Sequence, residues 1–423
     1  MDPHTIIGSA ENGIILSAHD RRRHLAAIGA TGSGKSSLLL NLFAQDCARG
    51  DGVLYIDPLG DDAERALDLI APERRNQVCY FNVGDREHPV AINILEDVAP
   101  DDRERLADDI VSAMRGIWHE SWGPRMEQIL RHALVALIEM PNASLVLLPQ
   151  LLVDDEFRAR VVAHSSNPLT QTFFGRRFDT WRDTYREEAI DPVLNKVDAF
   201  LFSPIVRNSL GQARSTLDFV HEMAHRHIVI ANLSKAVIGD TAAHLLGALL
   251  IARVQSAGLA RIAHDPETRP DFHLIIDEAH DFSANAIPIL LSQARHYGVT
   301  LALATQYLAA LPEKAQAALL ANPATLVAFR IASSDATILA SEFDRPQQSF
   351  TPHHLMELGR GEAMVRRAAR GSDFCELPPP PLGYGYGELM RQQSRRHYGT
   401  HRNTVEPMIT KLLLGNKPPP KAR

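Results

Sequence analysis

The 423-residue chain has little to tie it together covalently: its three cysteines, Cys47, Cys79 and Cys375, are widely spaced and make no CxxC pair. A disulfide framework and a cysteine-based zinc ribbon are therefore excluded, and each thiol is expected to be a packing residue in a reducing compartment. Long apolar stretches are also missing. No uninterrupted run reaches the roughly 18 residues that a membrane span needs, and the start, MDPHTIIGSAENG, has neither a basic nor an apolar leader region. The chain is expected to be cytoplasmic, with no transmembrane segment of its own. Positive charge is not in excess either. A net charge of −7 excludes a surface that attracts polyanions everywhere, so any nucleic-acid contact has to be local. The arginine groups Arg21–Arg23, Arg366/Arg367/Arg370 and Arg391/Arg395/Arg396/Arg402 are the local basic patches, and each reads first as a solvated face.

What is present begins with GATGSGKSS, Gly29 to Ser37, between an apolar strand-like run (Leu25 to Ile28) and an apolar helical run (Leu38 to Phe43). Gly29, Gly34, Lys35 and Ser36 satisfy G-x-x-x-x-G-K-[ST], a loop whose backbone N–H groups curl around a polyphosphate. The expected phosphate-binding residues are Gly29, Thr31, Gly32, Ser33, Gly34, Lys35, Ser36 and Ser37. Lys35 reaches the β/γ-phosphates, Ser36 holds Mg²⁺, and the following helix points its positive dipole end at the anion.

A second half-site is read from LIIDEAH. Asp277, at the end of a buried strand, is placed to hold the Mg²⁺ shell, and Glu278 to orient and polarise an attacking water. Gln306, at the end of LALATQ, is expected beside the γ-phosphate as a sensor. The 19 histidines are read as carrying no zinc-type spacing, so Mg²⁺ is the only metal expected. His280 reads as a packing or coupling residue, because no second helicase lobe follows DEAH.

Organisation follows the periodicity. Strands alternating with helices at 1–96 and 223–377 predict an α/β fold with a mainly parallel sheet. The stretch 97–222, with apolar residues at 3- and 4-residue spacing, predicts an all-α insertion that contains Trp118, Trp122 and Trp181. After PPPPLGYGYG, residues 378–423 read as a Pro-rich, basic, partly flexible tail with one helical stretch near VEPMITKLLL.

Taken in order, HLAAIGATGSGKSSLLLNL, YIDPLGD, WGPRMEQILRHAL, IVIANLSKAVIGD, LIIDEAHDF, LLSQARHYGVTLALATQ and VAFRIASSDATILASEF resemble the HerA/FtsK division of P-loop motor ATPases. Within it they resemble the TraG/TraD-like coupling proteins of type IV secretion. The resemblance spans roughly residues 5 to 365. It implies a RecA-like P-loop NTPase fold and a ring, commonly a hexamer, that hydrolyses ATP with Mg²⁺ between subunits and drives DNA through its channel.

Lys35 and Ser36 match the family's phosphate loop, Asp277 and Glu278 its metal and water residues, Gln306 its sensor. Arg295 of QARHYG matches the arginine that reaches a neighbouring subunit's nucleotide, with Arg330 as rival candidate. The insertion matches a substrate-selecting domain. DPLGD stands where the family often has DPHGD, and the family's N-terminal anchor is expected to be lacking. A peripheral place at the inner membrane then runs through a membrane-bound secretion partner, with a soluble role as the alternative, and a relaxase or nuclease is the other kind of partner expected. A protein-export ATPase and a nucleotide-dependent scaffold for a nuclease or defence partner are the alternative functions.

Overall fold

The computed structural model describes residues 4–9, 13–263, 265–266, 268–282, 286–344, 349–368 and 370–414. Two compact units are built from interleaved parts of the chain. One takes the residues up to Phe81 with Phe219–Ser234 and Val254–Ser394; the other takes Asn82–Asp218, Lys235–Arg253 and the chain from Arg395 on.

The first unit is organised by a sheet. Its strands are β1 (Thr5–Gly8), β2 (Ile14–Leu16), β3 (Leu25–Ile28), β4 (Gly52–Asp57), β5 (Val78–Asn82), β6 (Ile228–Asn232), β7 (Phe272–Ile276), β8 (Val299–Thr305), β9 (Thr325–Ala328), β10 (Glu362–Arg367) and β11 (Gly371–Glu376). Among the described residues β1 and β2 form a small antiparallel pair, and the other nine form one sheet in the order β11-β10-β9-β3-β8-β7-β4-β6-β5.

The strands β3, β4, β6, β7, β8 and β9 are buried at every position, as strands covered on both faces must be. Their mutual pairings are parallel. The register sets Ile28 beside both Thr305 and Ala328, and Asp57 beside Asn232. The residues that follow these strands therefore emerge together at one edge. The sequence reading did not foresee β10 and β11, which add to β9 as an antiparallel hairpin. Their intermediate exposure and arginine content mask the period-2 signal.

The helix Lys35–Ala48 is held on the sheet by Leu38, Leu39, Leu40, Leu42 and Phe43, all buried, and the Phe43 ring meets Tyr55 of β4 edge-on at 5.6 Å.

The second unit is mostly helical, with Arg103–Ile117, Pro124–Glu139, Pro168–Arg176 and Asp183–Leu201 among its helices. It is wider than the block expected at 97–222. Asn93 is the reason at its start: its side-chain amide donates to the carbonyls of Ala143 (2.8 Å) and Ala213 (2.9 Å), tying the preceding stretch to the helices. The expected tail carries two helices rather than one, Gly387–Tyr398 and Arg402–Leu414. The second of them buries Val405 and Ile409, and its Glu406 accepts a hydrogen bond from Asn208 at 3.4 Å. Trp181 sits in an aromatic group with Phe178 and Tyr185, each 5.1 Å away by ring centroid. One helix, Asp240–Ala260, belongs to a segment long and apolar enough to cross a membrane, and most of that segment is buried in the protein.

Candidate active site

All residues of the candidate site lie in the sheet-based unit. The loop after β3 is clamped from both sides: Gly29 N–H donates to the Thr305 carbonyl (3.2 Å) and Ala30 N–H to the Arg330 carbonyl (2.8 Å). A Cβ at Gly29 would stand 2.6 Å from Phe329 Cβ, and Gly34, at φ 129°, occupies backbone space that side chains avoid. The loop is thus pressed onto β9 and has to be glycine at both points.

A cavity of about 260 Å³ opens at this edge, lined on one side by Gly32, Gly34, Lys35, Ser36 and Ser37 and on the other by Asp57, Asp62, Arg65, Asp277 and Arg360. Gly29, Thr31 and Ser33 shape the loop without lining the cavity. Lys35 is 4% exposed, and its Nζ donates to the carbonyls of Gly29 (2.7 Å) and Ala30 (3.2 Å). Burial lowers its pKa, and the negative charges of Glu278 and Asp277 work against that shift.

Ser36 Oγ donates to Asp277 Oδ2 at 3.0 Å across 241 positions of sequence. Burial, reinforced by the charge of Glu278, pushes the Asp277 carboxyl up to about 7. A hydroxyl and a carboxylate oxygen at this separation are the hard donors that Mg²⁺ takes beside phosphate oxygens, so the residues present fit the metal.

Glu278 sits at φ 46°, ψ 52°, a left-handed conformation that costs a residue with a Cβ of order 1–3 kcal/mol. Its carboxylate is buried; Oε1 accepts from Gln306 Nε2 at 2.7 Å, while Oε2 has no hydrogen bond and lies 3.5 Å from His280 Nδ1. His280 also stands 3.3 Å from Thr305 Oγ1, so it couples the ends of β7 and β8.

The structure brings Lys35, Ser36, Asp277, Glu278 and Gln306 together but not Arg295. That residue is exposed on the turn Ala294–Tyr297, before the N-terminal end of β8. Seven residues of β8 at about 3.3 Å each put roughly 20 Å between that end and Thr305. Arg330 is exposed at the other end, with its carbonyl on the phosphate loop.

Sequence reasoning missed Arg65 and Arg360 as cavity residues. Arg360 has no phosphate motif around it; it arrives because Gly361 N–H donates to the Ser33 carbonyl at 2.8 Å. Asp57 is the last residue of β4. It is spent locally, accepting from Leu59 N–H and Ala63 N–H at 2.8 Å each, which fixes the DPLGD turn without the histidine that the family often carries there.

The basic patches read from sequence are largely neutralised. Arg21 pairs with Asp46, Arg22 with Asp271, Arg366 with Glu342, Arg367 with Asp373, Arg391 with Glu64, Arg395 with Asp85 and Arg402 with Glu87.

Comparison with known proteins adds to this geometry. The sequence profile of the type IV secretion-system coupling protein DNA-binding domain matches residues 9–343. No curated protein is a significant sequence match. Among solved structures, the plasmid coupling protein TrwB in complex with ADP and Mg²⁺ superposes with a TM-score of 0.68 at 16% identity, covering 90% of this chain and 95% of that one. TrwB in complex with a non-hydrolysable ATP analogue gives 0.62 at 17% identity, covering 87% and 88%. VirB4 of Thermoanaerobacter pseudethanolicus gives 0.59 at 15% identity, covering 90% and 97%. At these identities the likeness is one of fold.

Proposed function

The chain belongs to the type IV secretion-system coupling protein DNA-binding domain family, and on that premise we propose that it is an ATPase that moves DNA through a ring of its own copies, hydrolysing ATP between subunits. The observation that carries the chemistry is the meeting of Ser36 with Asp277 at 3.0 Å, beside a Glu278 carboxylate gripped by Gln306 at 2.7 Å. TrwB, whose fold this chain shares, has been seen with ADP and Mg²⁺.

Lys35 and the N–H groups of its loop hold the phosphates, and Ser36 and Asp277 hold Mg²⁺. When bound, the ion offsets phosphate charge and polarises the transferred group. Glu278 orients the attacking water through the carboxylate oxygen that no hydrogen bond occupies, while Gln306 keeps the other oxygen in place and links that position to the end of β8. Arg295, remote from its own loop, serves the neighbouring subunit's site. The helical unit selects the substrate. A membrane-bound secretion component is the partner that brings the ring to the inner membrane, where DNA leaves.

DNA-stimulated hydrolysis tests this reading. ATP turnover is measured with and without long duplex and single strands over a salt series. The expected result is a stimulation that fades steeply between low and moderate salt while basal turnover persists, because phosphate contacts release counterions. If neither form of DNA changes the rate at any salt with the ring assembled, DNA translocation is wrong, and a protein-export or scaffold role takes its place.

A further inference from the structure

His221-Glu222-Met223-Ala224-His225 is an H-E-x-x-H run with a further histidine at His227, contrary to the expectation that the histidine spacings hold no zinc-type pattern. It lies on the short helix Phe219–Ala224 and the turn that enters β6. His225 N–H donates to the His221 carbonyl (3.0 Å) and His227 N–H to the Glu222 carbonyl (2.9 Å), so the chain doubles back within one turn. Arg226 makes the reversal at φ 56°, with its carbonyl held by the Arg74 guanidinium.

That reversal gathers side chains that a continuous helix would fan apart. The donor atoms of His221, Glu222 and His227 all lie within 4.8 Å of one another. Glu222 is 2% exposed, and its Oε2 lies 2.7 Å from His227 Nδ1. His225 is exposed, with its ring centroid 4.0 Å from that of His221 and 5.8 Å from that of His227.

We infer that this cluster binds one divalent transition-metal ion of the zinc class through His221, Glu222 and His227, while His225, whose Nδ1 lies 2.9 Å from the His221 carbonyl, stands beside the set. Imidazole-rich donor sets select zinc and its neighbours over magnesium, and three or four such donors suit a tetrahedral ion. In the other histidine–carboxylate cluster among the described residues, Asp46, Asp51 and His273, the carboxylates hold Arg21 and Arg49.

The strand register fixes the role. Ile228 pairs with Val53 at the start of β4, whereas Asp57 of the phosphate cavity ends that strand. The ion therefore sits at the opposite edge of the sheet, as a clip between the helix and β6. Glu222, buried and engaged with His227, acts as a ligand there and not as the free base that an H-E-x-x-H protease needs.

The test uses the full-length protein, stripped with a chelator, then titrated calorimetrically with Zn²⁺ in excess Mg²⁺ and ATP so that the phosphate cavity is filled. The comparison is the double variant His221→Gln/His225→Gln, whose side chains are exposed and whose basal ATP turnover should stay at the wild-type level. Wild type is expected to bind one equivalent at least about 100-fold more tightly than the variant. Its thermal midpoint should rise with Zn²⁺ while that of the variant does not. Cobalt absorption bands of tetrahedral character should appear in wild type alone. Equal zinc binding by the two proteins, or none by either, overturns the site.

Discussion

Glu278 shows how a single side chain is made chemically useful at a structural cost. Its left-handed backbone carries strain, and one carboxylate oxygen is buried without a hydrogen bond. Glu278→Gln keeps the shape and removes the charge, so ATP binding should persist within about threefold while turnover falls about 10²- to 10³-fold, as loss of an oriented catalytic group does. Single-turnover hydrolysis with a separate nucleotide-binding assay checks both halves; unchanged turnover would remove Glu278 from the chemistry.

His24 is a residue-scale counterpart with a purely structural role. Burial, helped by Arg21 and Arg295, lowers its pKa to about 4 from 6.5. Its Nδ1 accepts from the Leu301 N–H at 3.1 Å, which requires that nitrogen to be unprotonated. Above pH 6.5 the histidine is neutral in folded and unfolded chains alike, and titration makes no difference there. As pH falls from 6.5 towards 4 the unfolded chain takes up a proton that the folded one refuses. Stability should drop across that window by on the order of 3 kcal/mol. His24→Asn tolerates the φ of 68° and should flatten this part of the profile, as read by urea midpoints against pH.

At the scale of elements, the antiparallel pair β10–β11 is more than an edge to the sheet. Its entry loop is fixed to the phosphate loop by the Gly361–Ser33 hydrogen bond and delivers Arg360 to the cavity. An arginine in that place neutralises phosphate charge in ground and transition states alike. Arg360→Ala should therefore raise KM for ATP about 10-fold or more, from the loss of a charge-assisted contact, with kcat changed less. A fall in kcat at constant KM would give Arg360 a different part. β10 and β11 were not legible beforehand because two half-buried positions of β10 are arginines and β11 is largely polar, whereas the continuous apolar strands β3, β4, β6, β7 and β8 announced themselves. The C-terminal helix Gly387–Tyr398 escaped notice for a related reason. Its polar composition hides the Ser394 hydroxyl, which accepts from the Tyr80 N–H at 2.7 Å, and only tertiary context gives that contact meaning.

For the molecule as a whole, the distance between Arg295 and its own phosphate loop has a consequence in an assembly. If Arg295 serves a neighbour, Arg295→Ala and Lys35→Ala subunits are each inactive alone but complementary when mixed, because some interfaces then join an intact loop to an intact arginine. Mixing should restore a measurable fraction of wild-type hydrolysis. A mixture that stays inactive while both variants assemble would assign Arg295 elsewhere and turn attention to Arg330, whose carbonyl already touches the loop. The acidic chain and its paired arginines also mean that DNA contacts depend on repetition: a few unpaired basic side chains per subunit, multiplied around a ring, give the salt-steep binding that one copy cannot.

The sequence by itself determined the α/β class, the family and the phosphate loop, because these depend on short contiguous patterns: an apolar strand, a glycine-rich turn and a helix start enforce their geometry within a dozen residues. It also named both Ser36 and Asp277, since each sits at the end of a recognisable element. Tertiary structure alone decided that these two meet, through the parallel register that aligns β3 with β8, β8 with β7 and β7 with β4. It likewise decided that Arg360 reaches the cavity, that Arg295 stands at the far end of β8 and that most arginine clusters are spent on carboxylates. Each of these rests on backbone pairings or turns between segments whose local composition is silent about its partner, and burial of the whole sheet is what brings those segments together.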